Sequence, residues 1–195
     1  MYNYLPLFFI LTSLLFCSCQ AQNNDLLDSR DQQRYPILQI GNQTWMAKNL
    51  NFNSEDSYCY KEQLANCESH GRFYTFEAAT KACPPGWKLP SNEDWMILEK
   101  SFGISDNTIL TFRTWRTTNN FDQSIEGFNV KYSGIGDHTL NGFQAKDSIV
   151  RYWSRTNGPT SKQFATYRMF MTSEKGIYSD QIPKKNLCCV RCIKQ

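Results

Sequence analysis

The chain predicts an α+β domain with its helices in the first half and its strands in the second. Three observations carry this. Two stretches between residues 73 and 102 place apolar side chains at helical spacing; from residue 103 onward Gly, Asn, Thr and aromatics replace helix signals; and no internal repeat period appears. The 195 residues carry a net charge of +3 without a dense basic cluster, which argues against nucleic acid as the main partner. Lys184, Lys185, Arg191 and Lys194 are read as a solvated face.

The first element is an apolar run over residues 5–16, too short to span a bilayer and of the right length for the core of an export signal. It ends in Cys17-Ser-Cys-Gln20. A cysteine after a small residue at such a point resembles the bacterial lipoprotein cleavage box, so residues 1–18 are read as a signal peptide and Cys19 as the lipidated first mature residue. The implied location is the cell envelope, as an outer-membrane lipoprotein held to the membrane by its N-terminal lipid. Residues 19–34 are polar and lack aromatics, so they are expected to form a flexible tether. Such a chain has a typical end-to-end distance of about 20 Å.

The domain is expected to begin at Tyr35 and run to residue 195. Gly41-Asn42, between Pro36-Ile-Leu-Gln-Ile40 and Gln43-Thr-Trp-Met46, is a hairpin signal. Cys59 and Cys67 flank a short polar stretch and suggest a local disulfide-closed loop. A helix is expected over 73–82, with Phe76, Ala79, Thr80 and Cys83 on one face. Pro84, Pro85 and Gly86 end it. Ser91 then caps a second helix over 91–102, with Glu93 and Asp94 in its first turn and Trp95, Leu98 and Phe102 on its core face. Strands are expected at 127–134, 150–156, 164–172 and 188–193. In the third of these, Ala165, Tyr167, Met169 and Met171 alternate with Thr166, Arg168 and Phe170, so one face can be buried.

Six cysteines lie beyond the signal: Cys59, Cys67, Cys83, Cys188, Cys189 and Cys192. In an exported chain disulfides are the leading reading. Zinc is the competitor, but Cys189 and Cys192 have no second pair at finger spacing, and no metal is assigned. Cys188 and Cys189 adjoin, so in a strand they face opposite ways and do not share one bridge. One of them is a candidate free buried thiol.

Seven ordered segments now identify a family. Ile40-Gly-Asn-Gln-Thr-Trp-Met-Ala-Lys-Asn-Leu50, Tyr58-Cys-Tyr60, Asn66-Cys-Glu68, Gly71-Arg-Phe-Tyr-Thr-Phe-Glu-Ala-Ala79, Cys83-Pro-Pro-Gly-Trp-Lys-Leu-Pro90, Tyr152-Trp-Ser-Arg-Thr156 and Val190-Arg-Cys192 resemble the Fibrobacter succinogenes major paralogous domain. That family is similar to C-type lectin-like domains. The resemblance implies two helices flanking a small twisted antiparallel sheet, with a long irregular region above it. It also implies a long-range staple from a helix end to the last strand, here Cys83 to Cys192, beside Cys59 to Cys67. This chain carries Arg155 where the family has Ser, and two additional cysteines, Cys188 and Cys189. The calcium-dependent sugar motifs of true lectins are missing, so calcium-mediated sugar binding is not carried over.

No catalytic constellation is read. Asp137-His138 is better explained as turn chemistry than as part of a triad, and His70 has no nucleophile at a recognisable spacing. The expected function is a non-catalytic envelope module that binds or adheres to a glycan or a protein without a cofactor. The aromatic content, 14% of the chain, prompts that reading. Trp115 and Phe143, with Phe121, Asn119, Asn120, Asp122 and Asn141 nearby, are the candidate ligand-binding residues. A structural envelope component is the alternative. A thiol-dependent oxidoreductase related to formylglycine-generating enzymes is a further one, resting on Cys188 and Cys189. Asp147-Ser-Ile149 also resembles a short O-glycosylation motif.

Overall fold

The computed structural model describes residues 25–101, 103–104, 114–116 (backbone), 127–139, 142–174 and 176–195. The signal over 1–18, Cys19, Phe102, Asn119, Asn120, Phe121, Asp122, Asn141 and the side chain of Trp115 lie outside the described residues.

The fold is mixed α and β, with three α-helices and two sheets among the described residues. One sheet has five strands in the order β1 (Asp25–Leu27), β2 (Arg34–Ile40), β3 (Gln43–Met46), β12 (Ile193–Lys194), β6 (Trp87–Lys88). The other has seven: β4 (Ser57–Tyr58), β5 (Phe73–Tyr74), β11 (Cys188–Cys189), β8 (Ile149–Asn157), β9 (Phe164–Met171), β10 (Ile177–Pro183), β7 (Thr114–Arg116). The expected single small sheet is therefore corrected to two, the second of them large. Pairing is antiparallel except where β11 runs parallel to β8.

The hairpin at Gly41-Asn42 forms as expected, with Ile40 opposite Gln43 and Leu38 opposite Trp45. The fold starts earlier than Tyr35. Residues 25–34, expected as part of the tether, form β1 and a turn that returns onto β2. A polar cluster compensates for the missing aromatics: the fully buried Asp28 accepts from Arg30 Nε at 2.9 Å and Nη2 at 2.7 Å. The guanidinium also lies 3.7 Å from the Phe52 ring centroid and donates to the Ala82 carbonyl at 2.7 Å.

Three helices replace the expected two. The loop between Cys59 and Cys67 contains a 3-10 turn, Tyr60–Glu62, and the start of α1, Leu64–His70. The helix expected from Phe73 begins three residues later as α2 (Phe76–Ala82), because Phe73 and Tyr74 pair with Tyr58 and Ser57. Its cap is Thr75, whose hydroxyl accepts from Ala78 N. The third helix, α3 (Asn92–Ser101), is capped as expected. Ser91 Oγ accepts from Asp94 N, and the Asp94 carboxylate accepts from Ser91 N. Trp95 and Leu98 on this helix are fully buried.

The strand expected at 127–134 does not form. Gly127, Asn129 and Gly134 take φ values of +92°, +48° and +93°, and the segment contributes only an isolated bridge from Gly134 to Val150. Residues 188–193 divide into β11 and β12, so the chain passes from one sheet to the other through Val190, Arg191 and Cys192, all fully buried. The large sheet separates two cores. One contains Trp45, Trp95, Phe128, Tyr152 and Phe170, and the other, under α2, contains Phe76, Trp153, Tyr167 and Cys188.

Candidate functional site

Besides the Asp28–Arg30 pair, two clusters of interior polar side chains hold the fold. In the first, Arg168 of β9 meets Glu99 of α3 at 2.5 Å and also donates to Asn92 Oδ1 and Ser179 Oγ. The Thr166, Arg168 and Phe170 face of β9 is therefore buried as well, with Arg168 held under α3. In the second, Arg191 is wholly buried. It donates to Asn49 Oδ1 at 2.7 Å and to the carbonyls of Phe128 and Asn129 at 2.6 Å each. The rings of Phe128 and Tyr152 lie 4.7 and 5.5 Å from its guanidinium carbon. Burial lowers the Arg191 pKa. The sequence reading of Arg191 as a solvated residue is thus corrected.

Asn49 joins this cluster to the end of α1. Its Nδ2 donates to the His70 carbonyl and to Ser133 Oγ, and Tyr152 Oη donates to its Oδ1. Gly71 makes room for it: φ is +79° there, and a Cβ would stand 2.6 Å from Asn49 Cβ. Asn49, Gly71, Tyr152 and Arg191 each belong to a segment that identified the family. Those segments encode a buried structural network.

The disulfides Cys59–Cys67 and Cys83–Cys192 are both present. Cys188 and Cys189 are both free and fully buried, on opposite faces of β11. Burial pushes the Cys188 thiol well above its ordinary pKa and the Cys189 thiol up to about 12. Ser69 Oγ is 2.7 Å from His70 Nδ1, but the hydroxyl also donates to the Ala65 carbonyl at 2.7 Å, and Asp147, 3.2 Å from Nε2, is 70% exposed. The Asp137 carboxylate accepts from Thr139 N and Oγ1, which holds it below the usual carboxylate range. This is turn chemistry, as read from the sequence. Ser148 of the Asp-Ser-Ile segment is exposed in the turn before β8.

Of the two candidate ligand aromatics, Phe143 is 6% exposed and packs between the Tyr60 and Phe73 rings, with both centroids at 5.3 Å. It is a core residue. Trp115 lies in β7, directly opposite Tyr178 of β10. Tyr178 is opposite Met169 of β9, and Met169 is opposite Arg151 of β8. One cross-strand row thus runs Arg151, Met169, Tyr178, Trp115.

The next row holds Trp153, Tyr167 and Asp180. Trp153 is closed over by Phe76 of α2, while Arg151, Met169 and Tyr178 remain partly exposed. Arg151 stands 5.1 Å from the Tyr167 ring centroid and makes no hydrogen bond or ion pair among the described residues. The row was hidden in the sequence because β10 was not expected. The alternation of Ile177, Ser179 and Gln181 with Tyr178, Asp180 and Ile182 was the available signal.

These elements define an α+β domain stapled by two disulfides around a buried arginine. A family model, the Fibrobacter succinogenes major domain, matches residues 38–194, and the chain belongs to that family. The match begins within β2, so β1 lies before it. No curated protein and no solved structure matches the chain.

Proposed function

We propose that the protein is a non-catalytic binding module held on the cell envelope by a lipid on Cys19. The face of the large sheet that carries the row of Arg151, Met169, Tyr178 and Trp115 is its ligand surface. The observation that carries this reading is the composition of that row. A cation, a thioether and aromatic positions lie in register on the sheet face that α2 covers over Trp153, and such residues are enriched in recognition surfaces. The buried state of both thiols weighs against thiolate chemistry at Cys188 and Cys189. A C-type lectin-like relationship is part of the proposal. It is supported by the Cys83–Cys192 bridge, which ties the end of α2 to the last strand segment.

Two measurements test the reading. A glycan and envelope-protein array probed with the whole mature chain is expected to give a saturable hit that Trp115→Ala weakens. A folded protein with no hit on a broad array contradicts binding and favours a structural envelope role. Intact-mass analysis of the membrane fraction is expected to show a diacyl- or triacyl-modified Cys19, and an unmodified N-terminus refutes the anchor.

A further inference from the structure

We infer that the domain is seated on the membrane through the exposed face of the β1–β2 ribbon, with Leu27 at the acyl boundary and Arg34 and Asp25 among zwitterionic phospholipid headgroups. The inference rests on the Cys19 anchor proposed above.

The length of chain ahead of the fold carries it. Only residues 20–24 lie between Cys19 and β1, and six peptide steps reach about 20 Å at full extension. A domain of this size has a radius of gyration of about 16 Å and is about 40 Å across. The anchored domain therefore cannot move its own width away from the bilayer. β1 is no spare tether: it pairs with β2, and the turn after it is pinned by Arg30 to Asp28, the Phe52 ring and the Ala82 carbonyl. Whatever the ribbon exposes beside the anchor is thus held at the surface. Leu26 and Tyr35, an opposed pair, turn into the core under α2. On the other face Asp25 stands opposite Pro36 and Leu27 opposite Arg34, and all four are exposed, Leu27 by 43%. Leu27 is one of three exposed large apolar side chains among the described residues, and alone of them lies on the strand that follows the anchor. The side chains of Asp25 and Arg34 make no hydrogen bond or ion pair among the described residues. One cation and one anion around a leucine match a zwitterionic headgroup, the guanidinium to its phosphate and the carboxylate to its ammonium. A single leucine is too little apolar surface to hold a protein on a bilayer. The anchor supplies the missing part as local concentration.

The test uses the lipidated mature protein in phosphatidylcholine–phosphatidylethanolamine vesicles that contain a phospholipid with a photoreactive diazirine beside its glycerol. Peptide mass mapping after illumination is expected to place the adducts on residues 25–36. Inserting about twenty Gly/Ser residues after Asn24 should lower their yield about tenfold, because local concentration falls as roughly the −3/2 power of tether length. Leu27→Ser should lower it about fivefold, the loss of a half-exposed leucine, at an unchanged unfolding temperature. Adducts spread evenly over the surface, or absent from 25–36 in a chain whose Cys19 lipid is confirmed by mass, overturn the seating and leave the anchor intact. A contact that needs anionic lipid, or that is lost at high salt, overturns the zwitterionic match. An unmodified Cys19 removes anchor and seating together.

Discussion

Arg191 Nε donates to Asn49 Oδ1 at 2.7 Å, joining residues 142 positions apart at the crossing between the two sheets. Arg191 precedes the disulfide-bonded Cys192 and β12, while Asn49 follows β3, the antiparallel partner of β12. The bond therefore ties the C-terminal segment to the segment that follows β3. Among the described residues no carboxylate is hydrogen-bonded to this cation, and carbonyl oxygens and ring faces spread its charge instead.

Removing the guanidinium leaves Asn49 Oδ1 and the carbonyls of Phe128 and Asn129 without this donor in the interior. Arg191→Met is expected to cost about 3–5 kcal/mol in a urea unfolding curve. Arg191→Lys should recover little of it, because one ammonium cannot reach groups arranged for a fork. A loss below about 1 kcal/mol for either would remove the network from its structural role.

The segments around Asn49, Gly71, Tyr152 and Arg191 were legible because residues that enforce local geometry leave strong local patterns. Gly41-Asn42, Ser91 and the alternation along β9 likewise announced a turn, a cap and a strand. What failed to show was interaction at long range. Asp28 and Arg30 look like tether residues until Phe52 and Ala82 come beside them, and Arg191 looks solvated until the chain folds over it. Phe143 was chosen for its polar neighbours in sequence, and Tyr60 and Phe73 claim it in space. Arg151 gave no signal at all, since its register partners lie on three other strands.

The two bridges should differ in energetic weight. Cys83 and Cys192 are 109 positions apart and Cys59 and Cys67 only 8, so chain entropy assigns them about 5 and about 2.5 kcal/mol. Cys83→Ala should lower the urea midpoint roughly twice as far as Cys59→Ala. Equal losses would mean that native-state packing, and not loop closure, sets their contribution.

Neither Cys188 nor Cys189 should react with a disulfide reagent at pH 8 in the native protein, and both should react once it is denatured. The raised thiol pKa values also stabilise the fold below about pH 9, the ordinary value of the unfolded thiol. That contribution is lost as pH rises from there toward the folded value, about 12 for Cys189. Rapid native labelling at either position would restore the thiol-enzyme alternative.

At the N-terminus, burial works to raise the Asp28 pKa, but the hydrogen bonds and charge of Arg30 outweigh it and leave the value below 3.8. A depressed carboxylate stabilises above its unfolded pKa and ceases to as pH falls through its folded one. Arg30→Met should cost about 2 kcal/mol at pH 7 and progressively less below pH 3.8. Hydrogen exchange should locate the loosening in residues 25–40. An equal cost at pH 7 and pH 2 would assign the effect to stacking on Phe52 alone.

The most direct test of the account separates binding from stability at two aromatics, using the hit returned by the array. Tyr178→Ala should lose most of the affinity while staying within about 1 kcal/mol of wild-type stability. Phe143→Ala should cost about 3–5 kcal/mol as a core truncation and, at a temperature where it remains folded, should bind as the wild type does. Full binding by Tyr178→Ala, with folded Phe143→Ala unable to bind, would contradict the placement of the ligand surface on the sheet face that carries Tyr178.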